Sequence, residues 1–155
     1  MSTILALLRH GRASGQGADA ALLPEGAAYV GALGRHLAAE GWRPLAAFTS
    51  PLQRARESAR IVLAETAPGL VATTLPDLHP ECEPDAALEA LRGQPLPAGR
   101  VLVVGHMPLL ARLADRLSGE IEEFRPGTLV EIELEPALDS GRMLRRIGPE
   151  ELGIS

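Results

Sequence analysis

The sequence contains no lysine, because all 15 of its basic residues are arginines. This absence excludes Schiff-base chemistry and any phosphate-binding loop that depends on a lysine amine. The single cysteine, Cys82, rules out an internal disulfide and fits a reducing compartment. No apolar run is long enough to cross a bilayer, and residues 1–8 lack the basic start of a signal peptide. We therefore expect a cytoplasmic protein that does not associate with membranes.

Basic charge is also scarce overall, since the net charge at pH 7 is −5. Nucleic-acid binding depends on basic surfaces that neutralise phosphates, so nucleic acid is not an expected partner. The 155 residues, of which 46% are hydrophobic, are enough for one folded unit with a full core. We expect a single domain over residues 1–155, and nothing in the sequence indicates its oligomeric state.

Short apolar segments alternate with segments of helical periodicity, which predicts an α/β fold. We expect a three-layer α/β/α sandwich with a mostly parallel central sheet. One late segment, residues 128–134, alternates apolar side chains with Glu131 and Glu133, which is typical of a strand with one solvent-exposed face. The predicted strands are residues 3–8, 45–49, 71–75, 100–105, 128–134 and 142–147, the predicted helices are 24–40, 51–65, 85–92 and 108–117, and 76–84 is predicted as loop.

Chemically versatile side chains follow three of the predicted strands. Arg9 and His10 come at the end of the first strand, and His106 follows the fourth. Ser50 follows the second strand, where it suits a helix N-cap, and Arg54 lies one turn into that helix. Because the carboxyl ends of parallel strands meet at one edge of a sheet, we expect two histidines and two arginines to converge there.

These side chains together suit a phosphoryl group. The arginine guanidinium matches phosphate oxygens, and neutral imidazole is a nucleophile near neutral pH. Arg9, Arg54 and a protonated His106 would offset the charge on the equatorial oxygens while His10 attacks in line. Any one of these residues alone is more often an ordinary surface or core residue, but their joint placement at strand ends is hard to explain that way.

The same residues lie in three motifs that resemble those of one family. Residues 8–13 resemble the Arg-His-Gly signature of the histidine phosphatase superfamily, the phosphoglycerate-mutase-like proteins. Residues 49–58 resemble its Ser-Pro-x-x-Arg-Ala-x-x-Thr block, with Ser58 in place of the threonine, and residues 103–108 resemble its late histidine block. The short length, and the segment from residue 75 onward, resemble the branch of SixA-like phosphohistidine phosphatases. The resemblance implies a phosphoglycerate-mutase-like fold and hydrolysis through a covalent phosphohistidine, without metal or cofactor.

Position by position, the resemblance makes His10 the nucleophile. It makes Arg9 and Arg54 phosphate ligands, and His106 a phosphate ligand that helps to carry transition-state charge. It also implies that Gly11 leaves space beside the nucleophile and offers a carbonyl that orients its ring. The implied substrate is a phosphorylated protein or a small phosphate-bearing molecule.

The general acid is the least defined of the implied roles. Many members of the superfamily use a glutamate shortly after the third strand, and the nearest matching position is Asp77. Glu81 is a rival candidate and His79 a weaker one. A P–N bond breaks readily once the leaving imidazole is protonated, so weak acid machinery favours a phosphohistidine substrate over a sugar phosphate.

Other phosphatase chemistries lack their motifs. Cysteine-dependent enzymes need an arginine six residues after the cysteine, where this chain has Leu88, and the Asp-x-Asp motif of aspartate-dependent enzymes is absent. Two alternatives stay open, namely a phosphatase for small phosphoesters and a non-catalytic module that binds a phosphorylated ligand. Three further arginines near the site either guide an anionic substrate or lie on solvent-exposed helix faces, and we favour the second for the last two: Arg12, Arg56 and Arg112.

Overall fold

The fold was obtained as a computed structural model, which describes residues 2–120 and 122–153. Positions 1, 121, 154 and 155 of the predicted domain lie outside the described residues. The strands are β1 Thr3–Arg9, β2 Ala46–Thr49, β3 Thr73–Thr74, β4 Gly99–Gly105, β5 Leu129–Leu134 and β6 Gly141–Ile147. The helices are α1 Pro24–Ala39, α2 Gln53–Thr66, α3 Pro84–Arg92 and α4 Leu109–Ser118, with a 3₁₀ turn at Pro76–Leu78.

The six strands form one sheet in the order β3-β2-β4-β1-β5-β6. Strands β3, β2, β4 and β1 are parallel to their neighbours, whereas β5 runs antiparallel to both β1 and β6. The predicted α/β class with a mostly parallel sheet is therefore confirmed. Strands β1 and β4 lie side by side at the centre, in a register that pairs Arg9 with Gly105.

Helices cover both faces of the sheet, which completes the predicted three layers. On β1, Leu5 and Leu7 contribute to the core beneath α3 and α4, whereas Ala6 and Leu8 contribute to the core beneath α1 and α2. A strand that is buried on both faces needs apolar side chains at successive positions. This explains why β1 and β4 are continuous apolar segments in the sequence.

The predicted solvent-exposed face of β5 is wrong at Glu131, which is buried. Its carboxylate accepts hydrogen bonds from Trp42 Nε1 at 3.0 Å, Arg100 Nε at 3.0 Å and Arg145 Nε at 2.6 Å. Burial alone would raise the pKa of Glu131, but the bonds from Trp42 and Arg145 outweigh burial and lower the pKa. Alternation along the strand cannot reveal this, because the covering side chains come from distant segments.

Most element boundaries lie within two residues of the sequence prediction, but two segments differ from it in length or type. Strand β3 has two residues instead of the five predicted, and Val71 at the start of the predicted strand is 81% exposed. The segment predicted as loop over 76–84 contains the 3₁₀ turn and the first residue of α3. Within 2–120 and 122–153, no helix is both long and apolar enough to span a membrane.

Candidate active site

His10 follows β1 directly and is held from both sides by backbone groups. The backbone N–H of His10 donates to the Gly105 carbonyl at 3.1 Å, and the ring Nδ1 lies 2.7 Å from the Gly11 carbonyl oxygen. Because a carbonyl oxygen only accepts, Nδ1 carries the ring proton and Nε2 keeps its lone pair. The predicted orienting carbonyl of Gly11 is thus present, and the ring has the tautomer that a nucleophile requires.

Gly11 packs closely against α1 and is tied to α2. A Cβ at this position would lie 2.8 Å from Val30 Cγ2 and 2.9 Å from the Gly26 carbonyl oxygen, so a larger residue would displace the loop. The Gly11 N–H donates to Ser58 Oγ at 3.0 Å, and that hydroxyl donates to the Arg54 carbonyl at 2.8 Å. The hydroxyl of Ser58 therefore links the loop after β1 to the helix that carries Arg54.

His106 follows β4, so the pairing of β1 with β4 brings it beside His10. The centroids of the two rings are 4.9 Å apart, with an interplanar angle of 54°. Its Nε2 lies 2.7 Å from Ser50 Oγ, which in turn accepts the Leu52 N–H at 3.1 Å. A hydroxyl proton donated to Nε2 satisfies both groups and leaves the proton of His106 on Nδ1. Nδ1 is buried and has no hydrogen-bond partner in the described part of the chain.

Ser50 does not cap α2 as predicted. The helix begins at Gln53, and its N-cap residue is Leu52, which makes no side-chain capping bond. Ser50 lies two residues earlier, where its buried hydroxyl is shared between the Leu52 N–H and His106. The turn formed by Ser50 therefore precedes the helix and positions the imidazole of His106.

The two arginines are fixed by backbone carbonyls. Arg54, in the first turn of α2, is 5% exposed and donates from Nη1 to the Gly17 carbonyl at 2.8 Å. Arg9, at the end of β1, donates from Nη1 to the Phe124 carbonyl at 2.8 Å, and its Nε is buried without a partner. Over residues 2–120 and 122–153, neither guanidinium forms a salt bridge with a carboxylate. Both positive charges are thus available to an anion.

The pKa of His10 is lowered to about 4, mainly by burial. The hydrogen bond to the Gly11 carbonyl raises this pKa, whereas the charges of Arg54 and Arg9 lower it further. Burial, followed by His10 and Arg54, lowers the pKa of His106 to about 3. Burial likewise lowers the pKa of Arg9 and Arg54, although an arginine stays charged at neutral pH. Both imidazoles are therefore neutral at pH 7 in the unliganded site, and the protonated His106 expected around a phosphoryl group stays a prediction for the liganded site.

These four side chains line one open cavity of about 720 Å³. Among the three candidates for the general acid, Glu81 and His79 line this cavity, whereas Asp77 lies in the 3₁₀ turn and does not. Arg12 lines the cavity as well. Arg56 and Arg112 do not, and both are exposed, in agreement with their expected place on solvent-exposed helix faces.

The arrangement can bind a tetrahedral anion and attack it. Arg9, Arg54 and the Nδ1–H of His106 offer donors, and His10 Nε2 offers a lone pair from an uncharged ring. In the described ranges, no group of three or more His, Cys, Asp or Glu side chains has the arrangement of a metal site. The charge that faces a ligand in this cavity therefore comes from the guanidinium groups.

Sequence reasoning missed the groups that hold the arginines. The carbonyls of Gly17 and Phe124 fix the two guanidinium groups, but a backbone acceptor leaves no mark in the residue pattern. The glycine-rich composition of residues 11–23 is a signal that could have indicated the close approach of this loop to the site. The hydroxyl at position 58 was visible in the motif, and the structure shows the contacts that require it.

Part of the chain is similar to one family of known proteins. Residues 5–80 match the family model of the histidine phosphatase superfamily (branch 1), a range that includes Arg9, His10 and Arg54. No curated protein matches the chain by sequence.

Solved structures share the fold over almost the whole chain. The protein histidine phosphatase SixA complexed with tungstate is 21% identical, with a TM-score of 0.86 over 96% of this chain and 99% of that chain. A protein assigned as phosphohistidine phosphatase SixA from Nakamurella multipartitia is 20% identical, with a TM-score of 0.81 and coverage of 96% and 97%. Phosphoglycerate mutase from Plasmodium falciparum is 16% identical, with a TM-score of 0.71 and coverage of 94% and 90%. The predicted phosphoglycerate-mutase-like fold is confirmed.

Proposed function

We propose that this chain belongs to the histidine phosphatase superfamily, whose family model it matches over residues 5–80, and that it is a single-domain, metal-independent phosphatase. Its proposed reaction removes the phosphoryl group from a phosphohistidine of another protein. The observation that carries the proposal is the convergence of His10, Arg54 and His106 from three segments around one cavity. His10 presents Nε2 as an uncharged nucleophile, and neither Arg9 nor Arg54 forms a salt bridge within the part of the chain that the structure describes. The likeness of the fold to a structure named as a protein histidine phosphatase supports the choice of substrate.

The first chemical step transfers the phosphoryl group to His10. The Nε2 lone pair of His10 forms a bond to phosphorus while the opposite P–N bond of the substrate breaks, and the leaving imidazole departs with a proton. Arg9, Arg54 and the Nδ1–H of His106 donate to the three equatorial oxygens, whose charge is thereby stabilised. The anion in turn favours protonation of His106, because opposite charges raise the pKa of a buried imidazole.

The second step returns the enzyme to its free form. Water attacks phosphorus in line with Nε2, loses a proton, and releases inorganic phosphate and neutral His10. The Gly11 carbonyl holds the Nδ1 proton during both steps, so the ring keeps the same tautomer. No step requires a metal ion, because two guanidinium groups supply the charge that a cation would otherwise supply. Activity is therefore expected to persist in EDTA.

For the general acid, we propose Glu81 in preference to Asp77. Glu81 lines the cavity in which the leaving group departs, whereas Asp77 lies outside its lining. Glu81→Gln should slow hydrolysis of p-nitrophenyl phosphate less than hydrolysis of an alkyl phosphate, because an alkoxide needs the proton more. Asp77→Asn serves as the matched control. A larger effect of Asp77→Asn on the alkyl phosphate would return the role to Asp77, and His79→Gln tests the weaker candidate in the same assay.

The central experiment is to trap the covalent intermediate. Rapid quenching after mixing enzyme with a ³²P-phosphohistidine peptide should yield acid-labile, base-stable label on His10, and His10→Ala should lose both label and turnover. A module that only binds phosphorylated ligands would be protected by tungstate against thermal unfolding but would never become labelled. Tungstate or vanadate should inhibit turnover, and full activity in excess oxyanion would contradict the proposed site.

A substrate panel tests the remaining choice. The phosphohistidine peptide should exceed sugar and nucleotide phosphates in kcat/KM. A sugar phosphate preferred by orders of magnitude would replace the protein substrate with a small phosphoester and leave the His10 mechanism intact. We also propose a cytoplasmic location, which the single cysteine supports.

A further inference from the structure

A second cavity, of about 420 Å³, lies next to the catalytic one. Arg12 and Pro126 line both cavities, so the two spaces share a wall. The second cavity is also lined by Glu25, Tyr29 and Arg125. A protein substrate that presents its phosphoryl group to the catalytic cavity would therefore place neighbouring side chains close to the second cavity.

Arg12 stands at the junction on a fixed backbone. Its carbonyl accepts the Leu23 N–H at 2.9 Å, and a Cβ on Gly26 would lie only 2.3 Å from the same oxygen, so residue 12 packs tightly against the start of α1. The side chain is exposed, and across the described ranges it has neither a salt bridge nor a hydrogen bond. The backbone of residue 12 is therefore fixed, and the Arg12 guanidinium, unpaired within the described ranges, is available to a ligand.

Arg125 is the second cation of this cavity and is only loosely paired. Its Nη1 lies 3.9 Å from Glu150 Oε2, and both side chains are more than half exposed at 64% and 53%. Exposed pairs at this distance contribute little to stability, because water and salt screen them. An incoming carboxylate can displace Glu150 at small cost.

Tyr29 provides a third polar group in the same wall. The residue is 8% exposed, and a Cβ on Gly127, whose φ is +81°, would lie 2.2 Å from the Tyr29 ring, so the ring is fixed in place. Its hydroxyl is buried and lacks a hydrogen-bond partner among the described residues. Burial raises the pKa of Tyr29, which keeps the hydroxyl protonated and able to donate. Buried hydroxyls usually have a partner, so a ligand atom is the natural one here.

The charges of the two cavities favour an anion. Four arginines line them, Arg9, Arg12, Arg54 and Arg125, against the carboxylates of Glu25 and Glu81 in the lining and of Glu150 beside Arg125. This positive region belongs to a chain whose net charge is −5. The local excess of positive charge therefore cannot be a general property of the surface.

We propose that the second cavity is a substrate subsite that binds an acidic side chain next to the phosphohistidine of the protein substrate, with Arg12 as the residue that determines this specificity. The inference rests on the proposed function and deepens it. The carboxylate lies between Arg12 and Arg125, and the Tyr29 hydroxyl donates to one of its oxygens.

The test compares two phosphohistidine peptides that differ only in flanking glutamates replaced by glutamines. The wild-type enzyme should prefer the acidic peptide, and Arg12→Gln should reduce the ratio of kcat/KM values, acidic over neutral, by about tenfold, as expected for one charge-assisted bond. Arg125→Gln and Tyr29→Phe should reduce the ratio by smaller factors. Arg43→Gln, which removes an exposed charge that lines neither cavity, should leave the ratio and the basal activity unchanged.

The outcome separates this inference from the proposed function. An unchanged ratio in Arg12→Gln, or an equal loss in Arg43→Gln, overturns the subsite even if both peptides are turned over. If neither peptide is a substrate, the protein-phosphohistidine proposal fails, and the subsite is tested by competition. The unphosphorylated acidic peptide should then inhibit hydrolysis of p-nitrophenyl phosphate in the wild type and weaken as an inhibitor in Arg12→Gln. Equal inhibition by the acidic and neutral peptides overturns the subsite in that case.

Discussion

Two regions of the molecule contain buried ionisable groups, and they differ in whether those charges are paired within the chain. At Glu131, one carboxylate receives hydrogen bonds from Trp42, Arg100 and Arg145, and Arg145 also pairs with Glu40 at 3.0 Å. Around His10, two guanidinium groups and two imidazoles share a cavity without any carboxylate partner in the described ranges. Charge is compensated within the chain in the first region and left uncompensated in the second.

This difference separates a structural cluster from a binding site. A fully bonded carboxylate has nothing left to offer a ligand and contributes to the stability of the fold. The buried Nε of Arg9 and Nδ1 of His106 lack partners among residues 2–120 and 122–153, which costs stability unless a ligand supplies the missing acceptors. Substitutions in the two regions should therefore affect different measurements.

The largest expected effect is on activity, from Arg54→Ala. Loss of one donor to the equatorial oxygens should cost about 2–4 kcal/mol of transition-state stabilisation, or about 30–1000-fold in kcat/KM. The free energy of unfolding should change little, because the side chain has no carboxylate partner among the described residues. Arg60→Ala, an exposed position on the same helix, is the matched control in steady-state kinetics. Equal kinetics for both variants would remove Arg54 from the site.

The next effect is on stability, from Glu131→Gln. Glutamine keeps only one of the two acceptor oxygens, so either Arg145 or the pair of Arg100 and Trp42 loses its acceptor. Together with the loss of the buried countercharge, this should lower the free energy of unfolding by about 3 kcal/mol. Glu133→Gln, on the same strand but paired only with the exposed Arg142, should change it by less than about 0.5 kcal/mol. Urea unfolding measures both, and kcat/KM of the folded Glu131→Gln enzyme should match the wild type. A loss of activity without a loss of stability would reverse the contrast between the two regions.

As the pH falls, the two regions should lower the stability of the fold in separate pH ranges. Unfolded histidine binds a proton near pH 6.5, whereas folded His10 and His106 do so near pH 4 and 3. Protonation of either residue therefore favours the unfolded chain, and the fold loses stability as the pH falls below 6.5. At pH 5 this amounts to about 2 kcal/mol for each histidine relative to pH 8. The lowered pKa of Glu131 contributes stability above its ordinary pKa of 4.5, which is lost only at lower pH. Urea unfolding of His106→Gln from pH 8 to pH 5 should show a shallower decline than the wild type, and an identical decline would contradict the lowered pKa of His106.

The smallest effect is expected at Ser58. Ser58→Ala leaves the buried Gly11 N–H without its acceptor and should cost about 1 kcal/mol of stability, with a few-fold loss of kcat/KM because His10 is less well positioned. Ser58→Thr keeps the hydroxyl and should retain more activity than Ser58→Ala. Thermal unfolding and steady-state kinetics measure both variants, and equal activity of the two would show that the hydroxyl does not position His10.

The sequence predicts both the central strands of this fold and the meeting of the site residues, because those residues lie at the ends of the central strands. Strands β1 and β4 are buried on both faces, so their apolar side chains are consecutive and easily recognised. Arg9 ends β1, and His10 and His106 directly follow β1 and β4. The parallel arrangement brings these strand ends together whatever lies between them in the chain. Their roles as nucleophile and phosphate ligands remain predictions for the experiments above.

The features that sequence reasoning missed depend on distant neighbours. The partners of Glu131 are separated from it by 89, 31 and 14 residues, so alternation along β5 alone suggested a solvent-exposed side chain. Serine is a residue type that often caps helices, but the hydroxyl of Ser50 is hydrogen-bonded to the imidazole of His106, 56 residues away. Likewise, the 3₁₀ turn decides which acidic residue lines the cavity, and residue type could not distinguish Asp77 from Glu81.

The pairing of β1 with β4 also has a consequence for the tolerance of the site to change. Neighbouring hydrogen-bonded strands lie about 4.7–4.9 Å apart, and the two imidazole centroids are 4.9 Å apart. The pairing of β1 with β4 thus sets the backbones of His10 and His106 side by side whatever the loops that join the strands, and the Gly11 carbonyl and Ser50 orient the two rings. Loop lengths can vary between these two histidines without altering their separation, whereas a single inserted residue inside β1 would turn His10 toward the opposite face of the sheet.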